Sequence, residues 1–258
     1  MADKGDLRGL VEAMAHAQPY IRFNASDLLA AQGEKAYPLL IEALSHDNAE
    51  VRKGAARALG IIGDRRAVQP LLNRLDKDIP GVGQFIVDAL ADIGDTQAVN
   101  DLCKMTHSHS LSLRYSSVRA LGKLGDQRAI PFLVEALSDP ASIVRLRATE
   151  SLSHMDEPSL WAPISEMLGD SSAGVRAVAA RALGDMHSLR ALDSLIPLLE
   201  SDIESDILET AKALGRIGSR KAIEPLTAAR TREGRDKVLD AITAALDAIE
   251  STEEGNEA

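Results

Sequence analysis

The chain has 258 residues, 39 acidic and 29 basic side chains, and a formal charge of −10. That balance argues against nucleic acid as the main partner, because phosphate contacts need a basic surface. Cys103 is the only cysteine, which excludes an intrachain disulfide and a thiolate zinc cluster. Three Phe, three Tyr and one Trp are few for a compact globular core and suit closely spaced helices packed with Leu, Ile, Val and Ala.

The first ten residues carry two Asp, a Lys and an Arg and lack the apolar stretch of a signal peptide. No 18-residue apolar run follows, so a soluble, cytoplasmic protein without a membrane span is expected.

A first helical hairpin is predicted over 4–16 and 20–32. Further hairpins follow at 35–62, 66–93, 97–124, 128–155, 159–186, 190–217 and 221–249. Within 35–62, Val51, Ala55, Ala58, Leu59 and Ile62 share one face at helical spacing. Gly63 stops that helix and Asp64 caps the next, whose buried stripe is Val68, Leu71, Leu72 and Leu75. Asp47 and Glu50 have capping-box spacing. Asp139-Pro140 reads as a cap followed by a proline at the first helical position. Ile79-Pro80-Gly81-Val82-Gly83 predicts an irregular helix start. Residues 251–258 are Glu-rich and read as a frayed tail.

These segments repeat with a period of 31. Ala58-Leu59-Gly60 returns as Ala89-Leu90-Ala91, Ala120-Leu121-Gly122, Ser151-Leu152-Ser153, Ala182-Leu183-Gly184 and Ala213-Leu214-Gly215. Leu71, Leu102, Leu133, Ile164, Leu195 and Leu226 form a second ladder. Such a repeat predicts stacked hairpins that bury one another's apolar faces. The expectation is therefore one all-α domain over 1–250, a right-handed α-α superhelix of about eight hairpins. Gly94, Gly125 and Gly218 repeat the stop at Gly63, while Asp156 and His187 replace it and require either another turn or a strained left-handed cap. Gly60, Gly122, Gly184 and Gly215 mark either a tight helix crossing or a shortened helix.

The stretch Val51 to Asp64, continued by Arg66-Ala67-Val68 and Pro70-Leu71, resembles the HEAT-like repeat of the phycobilisome-lyase type, a short relative of HEAT and armadillo repeats. Weaker copies start at Leu113, Val144 and Val175. The resemblance implies a HEAT-like solenoid whose second helices line a concave surface. Its relatives include chromophore lyases, iron-dependent hydroxylases, DNA-repair glycosylases and adaptor scaffolds, so the framework alone does not select a function.

Surface positions must select it. Columns four residues apart on the second helices give Lys53, Arg57 and Ile61, then Gln84, Asp88 and Asp92, then Tyr115, Arg119 and Lys123. They continue as Leu146, Glu150 and His154, then Ala177, Arg181 and Asp185. The alternating charges of the Arg57 column read either as pairs between stacked helices or as a polar recognition strip. Tyr115 and Phe85 are the candidate aromatic anchors. Lys53, Arg57, Phe85, Asp88, Tyr115, Arg119, Lys123, Glu150, His154 and Arg181 form the candidate protein-binding set. A further column, Arg52, Arg114, Arg145 and Arg176, with Arg22 as its start, is expected to pair with loop acids such as Asp64, Asp95 and Asp126 or with cap residues such as Asp47. Trp161 falls in the Val68 column and reads as core.

Catalysis has thin support. No His-Glu dipeptide of the hydroxylase type occurs, and His107-x-His109 alone is too small a ligand set. Noncovalent binding of a protein or peptide, with no cofactor, no metal and no catalytic residue, is the leading reading. A chromophore lyase or cofactor carrier is the alternative.

Overall fold

The two 31-residue ladders require their side chains to leave water together, and in the computed structural model they do. Leu59, Leu90 and Leu121, then Leu152, Leu183 and Leu214, are fully buried, as are Leu71, Leu102, Leu133, Ile164, Leu195 and Leu226. Burying one such side chain contributes about 1.5–3 kcal/mol. The structure describes residues 7–75 and 81–254. Residues 4–6 of the expected first hairpin, Ile79-Pro80 of the expected irregular start and 255–258 of the expected tail lie outside that set.

Among the described residues every regular element is helical. The chain divides into two compact units, 1–132 and 133–258. In the first, α1 (Leu7–Ala13) pairs with α2 (Pro19–Ala30), α3 (Tyr37–Ala43) with α4 (Ala49–Ile62), α5 (Val68–Leu75) with α6 (Gly83–Ile93), and α7 (Val99–Met105) with α8 (Leu111–Leu124). The second helices α2, α4, α6 and α8 stack in sequence. Helix α9 (Ile130–Ala136) spans the division. In the second unit α10 (Ser142–Ser153), α12 (Ala173–Asp185), α14 (Glu204–Ile217) and α16 (Asp236–Glu254) stack in the same way. Their hairpin partners are α11 (Trp161–Glu166), α13 (Leu192–Leu195) and α15 (Ile223–Arg232), set against α12, α14 and α16.

The turn chemistry follows the repeat. Gly63, Gly94, Gly125 and Gly218 are left-handed C-caps with φ of 64–74°. Asp64, Asp95 and Asp126 each accept a backbone N–H two residues on, starting the short 3-10 turn that leads into the next helix. Where glycine is replaced, His187 takes the left-handed conformation itself, at φ 48°. The Asp156 turn follows the other course, with no left-handed residue. Two cap assignments shift. Asn48, not Asp47, caps α4 by accepting the Glu50 N–H. Asp139 accepts the Ala141 N–H in a turn that leaves Pro140 before α10 begins.

The helical glycines answer a steric demand, since α4, α12 and α14 run on through them. A Cβ at Gly60 would sit 2.8 Å from the Ala89 Cα, one at Gly184 2.7 Å from the Ala213 Cα, and one at Gly215 2.9 Å from the Ala245 Cα. Those contacts are with backbone, which cannot swing aside.

The arginine column has a different partner from the expected one. Arg22, Arg52, Arg114, Arg145 and Arg176 each donate Nη1 to the carbonyls six and five residues earlier, in the turn between the two helices of their own hairpin. These carbonyls lie in the turn beyond the first helix, outside any helical ladder, and one guanidinium nitrogen satisfies two at once. Asp47 takes part through its carbonyl, not its carboxylate. The fork's other edge reaches the next repeat: Arg22 to Glu50 at 2.9 Å, Arg145 to Asp170 at 2.6 Å and Arg176 to Asp206 at 2.8 Å. Asp206 stands in the Val51 column, where Arg176 and the Ser201 hydroxyl satisfy its Oδ2 while Oδ1 is buried without a hydrogen bond.

Two outcomes follow. Gly184→Ala gains helix propensity of up to about 1 kcal/mol but overpacks a backbone contact, a cost of about 1–3 kcal/mol. Net destabilisation is expected in urea melts, whereas Gly174→Ala in the same helix, where a Cβ would sit 3.6 Å from the Leu146 Cδ1, is neutral or stabilising. The Arg145 guanidinium, helped by the Ser172 N–H, holds the Asp170 carboxyl below its usual range although burial opposes this. Its contribution is complete above the unfolded aspartate value of about 3.9 and is lost as pH falls through the lower folded value. Asp170→Asn should therefore cost roughly 3 kcal/mol at neutral pH, and the gap to wild type should close in acid melts.

Candidate functional site

The second-helix surface of the first unit carries the most distinctive constellation. One turn of α2 presents Phe23 and Asp27, and the matching turn of α4 presents Lys53 and Arg57. Arg57 pairs with Asp27 at 2.5 Å and lies 5.3 Å from the centre of the Phe23 ring. Lys53 pairs with Glu50 at 2.7 Å and lies 5.7 Å from the ring centre of Phe85 on α6. Glu50 also accepts Arg22 and is held below the usual carboxylate range chiefly by its hydrogen bond from Lys53. Between these groups lies a groove of 210 Å³, closed at its floor by Gly54 and Ser26. A Cβ at Gly54 would strike the Met14 sulfur, so glycine there both admits Met14 and leaves the floor open.

The groove combines two rings with three cations and one carboxylate on its walls. Phe23 remains 46% exposed despite its size. The cations beside both rings are already neutralised by Asp27 and Glu50, so the rings, not unpaired charges, are what the groove offers a partner. Three members of the candidate set, Lys53, Arg57 and Phe85, converge here. Phe85 shares the groove with Phe23, and Tyr115 does not line it.

Of the remaining candidates, Asp88, Arg119, Lys123, Glu150 and Arg181 form ion pairs between neighbouring helices. In the first unit Arg119 meets Asp88 at 2.5 Å and Lys123 meets Asp92 at 2.6 Å. Burial raises the Asp88 carboxyl's pKa, and Arg119 opposes that shift. In the second unit Arg181 meets Glu150 at 3.1 Å, Arg216 meets Asp185 at 3.3 Å, and the exposed His154 ring bonds the Glu150 carbonyl at 2.7 Å. Tyr115 is half-buried. The alternating charges thus make pairs across each stack. Both partners of Arg119–Asp88 are partly exposed, and such a pair contributes about 0–1 kcal/mol. A double-mutant cycle on Arg119→Ala and Asp88→Ala should give a coupling within 1 kcal/mol of zero in urea melts, shrinking further in high salt.

Sequence reasoning missed Phe23, Arg22, Ser26 and Glu50 as neighbours of Lys53. The signal was present: the first repeat steps by 30 residues, which puts Phe23 in the Lys53 column and Asp27 in the Arg57 column. Cys103 is buried as a small apolar side chain, and burial pushes its thiol pKa up. His107 packs edge-on to Phe132, and among the described residues no three His, Cys, Asp or Glu side chains are grouped to hold a metal ion. No helix there is long and apolar enough to cross a membrane.

HEAT-repeat sequence patterns match residues 7–85, 80–153, 136–211 and 162–247, which together cover nearly the whole chain. The chain belongs to the HEAT repeat family. Among solved structures, this HEAT protein resembles YibA of Escherichia coli, with 21% identity, 94% of this chain and 92% of that one covered, and a TM-score of 0.69. An engineered protein matches at 21% identity over 95% of this chain and 78% of its own, with a TM-score of 0.55. The CpcE–CpcF complex of phycocyanin lyase from Nostoc matches at 21% identity over 96% and 97%, with a TM-score of 0.50. At these identities the likeness concerns the fold. No curated protein sequence matches the chain. HEAT repeats as a class are associated with protein–protein interaction surfaces.

Proposed function

We propose that this HEAT protein is a noncovalent scaffold or adaptor that binds a protein or peptide on its second-helix surface, with the Phe23–Phe85 groove as the anchor. The observation that carries the reading is the groove itself: two aromatic rings left partly in water, each topped by a cation, on a wall formed by three successive helices. Exposed aromatics beside arginine are the residues that dominate binding energy when a partner covers them. Their wall is already rigid, since α2, α4 and α6 are locked by the buried ladder, so little ordering cost falls on this side of the complex. Asp88, Tyr115, Arg119 and Lys123 extend the contact surface along α6 and α8, and Glu150, His154 and Arg181 supply the corresponding positions of the second unit. The alternative of a chromophore lyase or cofactor carrier shares only the fold with CpcE–CpcF, and no side-chain arrangement here favours it.

The test is native co-purification on the tagged full chain, followed by direct affinity measurement with the protein recovered. Phe23→Ala combined with Phe85→Ala should weaken binding by about tenfold or more, with helicity unchanged, while Arg230→Ala on α15 leaves it intact. Equal affinity across all three proteins would remove the groove from the interface, and recovery of a pigment in place of a protein would favour the alternative.

A further inference from the structure

A different surface becomes visible when equivalent turns are compared. By the 31-residue period, Arg66, Arg128 and Arg190 occupy one position in the short turn between repeats. Arg66 is fully partnered: its guanidinium binds Asp64 and Glu34 and stacks 4.7 Å from the Tyr37 ring centre. Arg128 binds Asp126 and the Thr96 carbonyl. Arg190 keeps the stacking, 5.9 Å from the ring centre of Trp161, which is the four-period equivalent of Tyr37. It has lost both acids, because Ser188 stands where Asp64 does and Pro158 where Glu34 does. Among the described residues Arg190 makes no ion pair.

The same two turns are the ones whose glycine stop is replaced, by Asp156 and His187. Between them lies a groove of 460 Å³ within the second unit. Trp161, Met155, Met186 and Leu189 give it an apolar lining, and Leu189 is 64% exposed. Trp161 was expected in the core. Val68 is buried at the equivalent position, whereas the larger indole at the first residue of α11 is only half-buried.

We infer that this groove is a docking site for a protein segment that presents an apolar side chain beside a single carboxylate, the carboxylate binding Arg190 and the apolar group seating against Trp161 and Leu189. The Arg190 guanidinium lies beside the indole with no acid on its N–H fork, and a planar carboxylate matches such a fork with two parallel hydrogen bonds. Charge complementarity limits the occupant further. Asp156 and Glu157 also line the groove, and residues 133–258 hold 23 acidic and 13 basic side chains against 16 of each in 1–132. A run of acids is repelled by that field, whereas one carboxylate backed by apolar contact is accommodated. The site is separate from the Phe23–Phe85 groove and stands or falls independently of it.

Trp161 is the only tryptophan in the chain and reports the site directly. Short random peptides displayed on phage are selected on the full chain, and the enriched peptide is synthesised with acetylated and amidated ends, so that its only carboxylates are side chains. The enriched peptides should place Asp or Glu within two residues of Leu, Met or Phe and should shift Trp161 emission on titration. Replacing the peptide's acid by its amide, or Arg190→Gln in the protein, should weaken binding about tenfold, and Phe23→Ala should not. Far-UV circular dichroism establishes that Arg190→Gln is folded. The inference is overturned if selection yields no binder, if Trp161 emission does not respond, or if binding is indifferent to the peptide acid or to Arg190.

Discussion

Backbone contact between successive second helices is the constraint on which the rest of this structure depends. Gly60 against Ala89, Gly184 against Ala213 and Gly215 against Ala245 bring two helices to a separation that any larger side chain would prevent. At that separation the flanking leucines of each helix reach the next hairpin and are fully buried, although each hairpin alone is too thin to shelter them. The cost is a glycine inside a helix, roughly 1 kcal/mol each. It is recovered because one close crossing fixes the register of a whole hairpin. The arginine column reinforces the same spacing, since a fork that holds two carbonyls of its own turn and a carboxylate of the next repeat can do both only at one distance.

Much of this was legible in the sequence because it is periodic. The Leu59 and Leu71 ladders, the glycine stops and the aspartate starts each recur at a fixed step, and recurrence turns a weak local signal into a strong one. What escaped was what depends on partners outside the period. The arginines were expected to pair with loop acids such as Asp64 or cap residues such as Asp47; each instead binds two turn carbonyls, and Arg22, Arg145 and Arg176 also reach an acid of the next repeat. The cap of α4 falls one residue later than expected, at Asn48, whose extended backbone and side-chain oxygen receive the Glu50 N–H. The groove at Phe23 was hidden by a single deleted residue, which shifts the first repeat by one place against the others.

The charged columns show why an exposed pattern is harder to read than a buried one. Arg57, Arg119 and Arg181 alternate with Asp88 and Glu150, and the structure pairs Arg119 and Arg181 with an acid on the preceding helix, as Arg57 pairs with Asp27. An alternating ladder of this kind keeps neighbouring helices in register at little net energy. It also leaves a surface that is nearly neutral, on which aromatic side chains supply most of the contrast. Phe23 and Phe85 stand out against that background because the cations beside them are already paired, so a partner is received without stranding a charge.

The turn column carries the same logic one step further. Arg66, Arg128 and Arg190 begin as one structural device, an arginine that ties its turn to the preceding repeat. In the first two the tie is complete. At Arg190, Pro158 and Ser188 stand in place of both acids and tryptophan in place of the tyrosine, so the cation keeps a ring contact while its fork is open. The fold tolerates this because the ladder, not the turn, supplies its stability. A repeat protein can therefore convert a structural position into a recognition position by deleting partners in a single copy, while neighbouring copies record what the position does when it is satisfied.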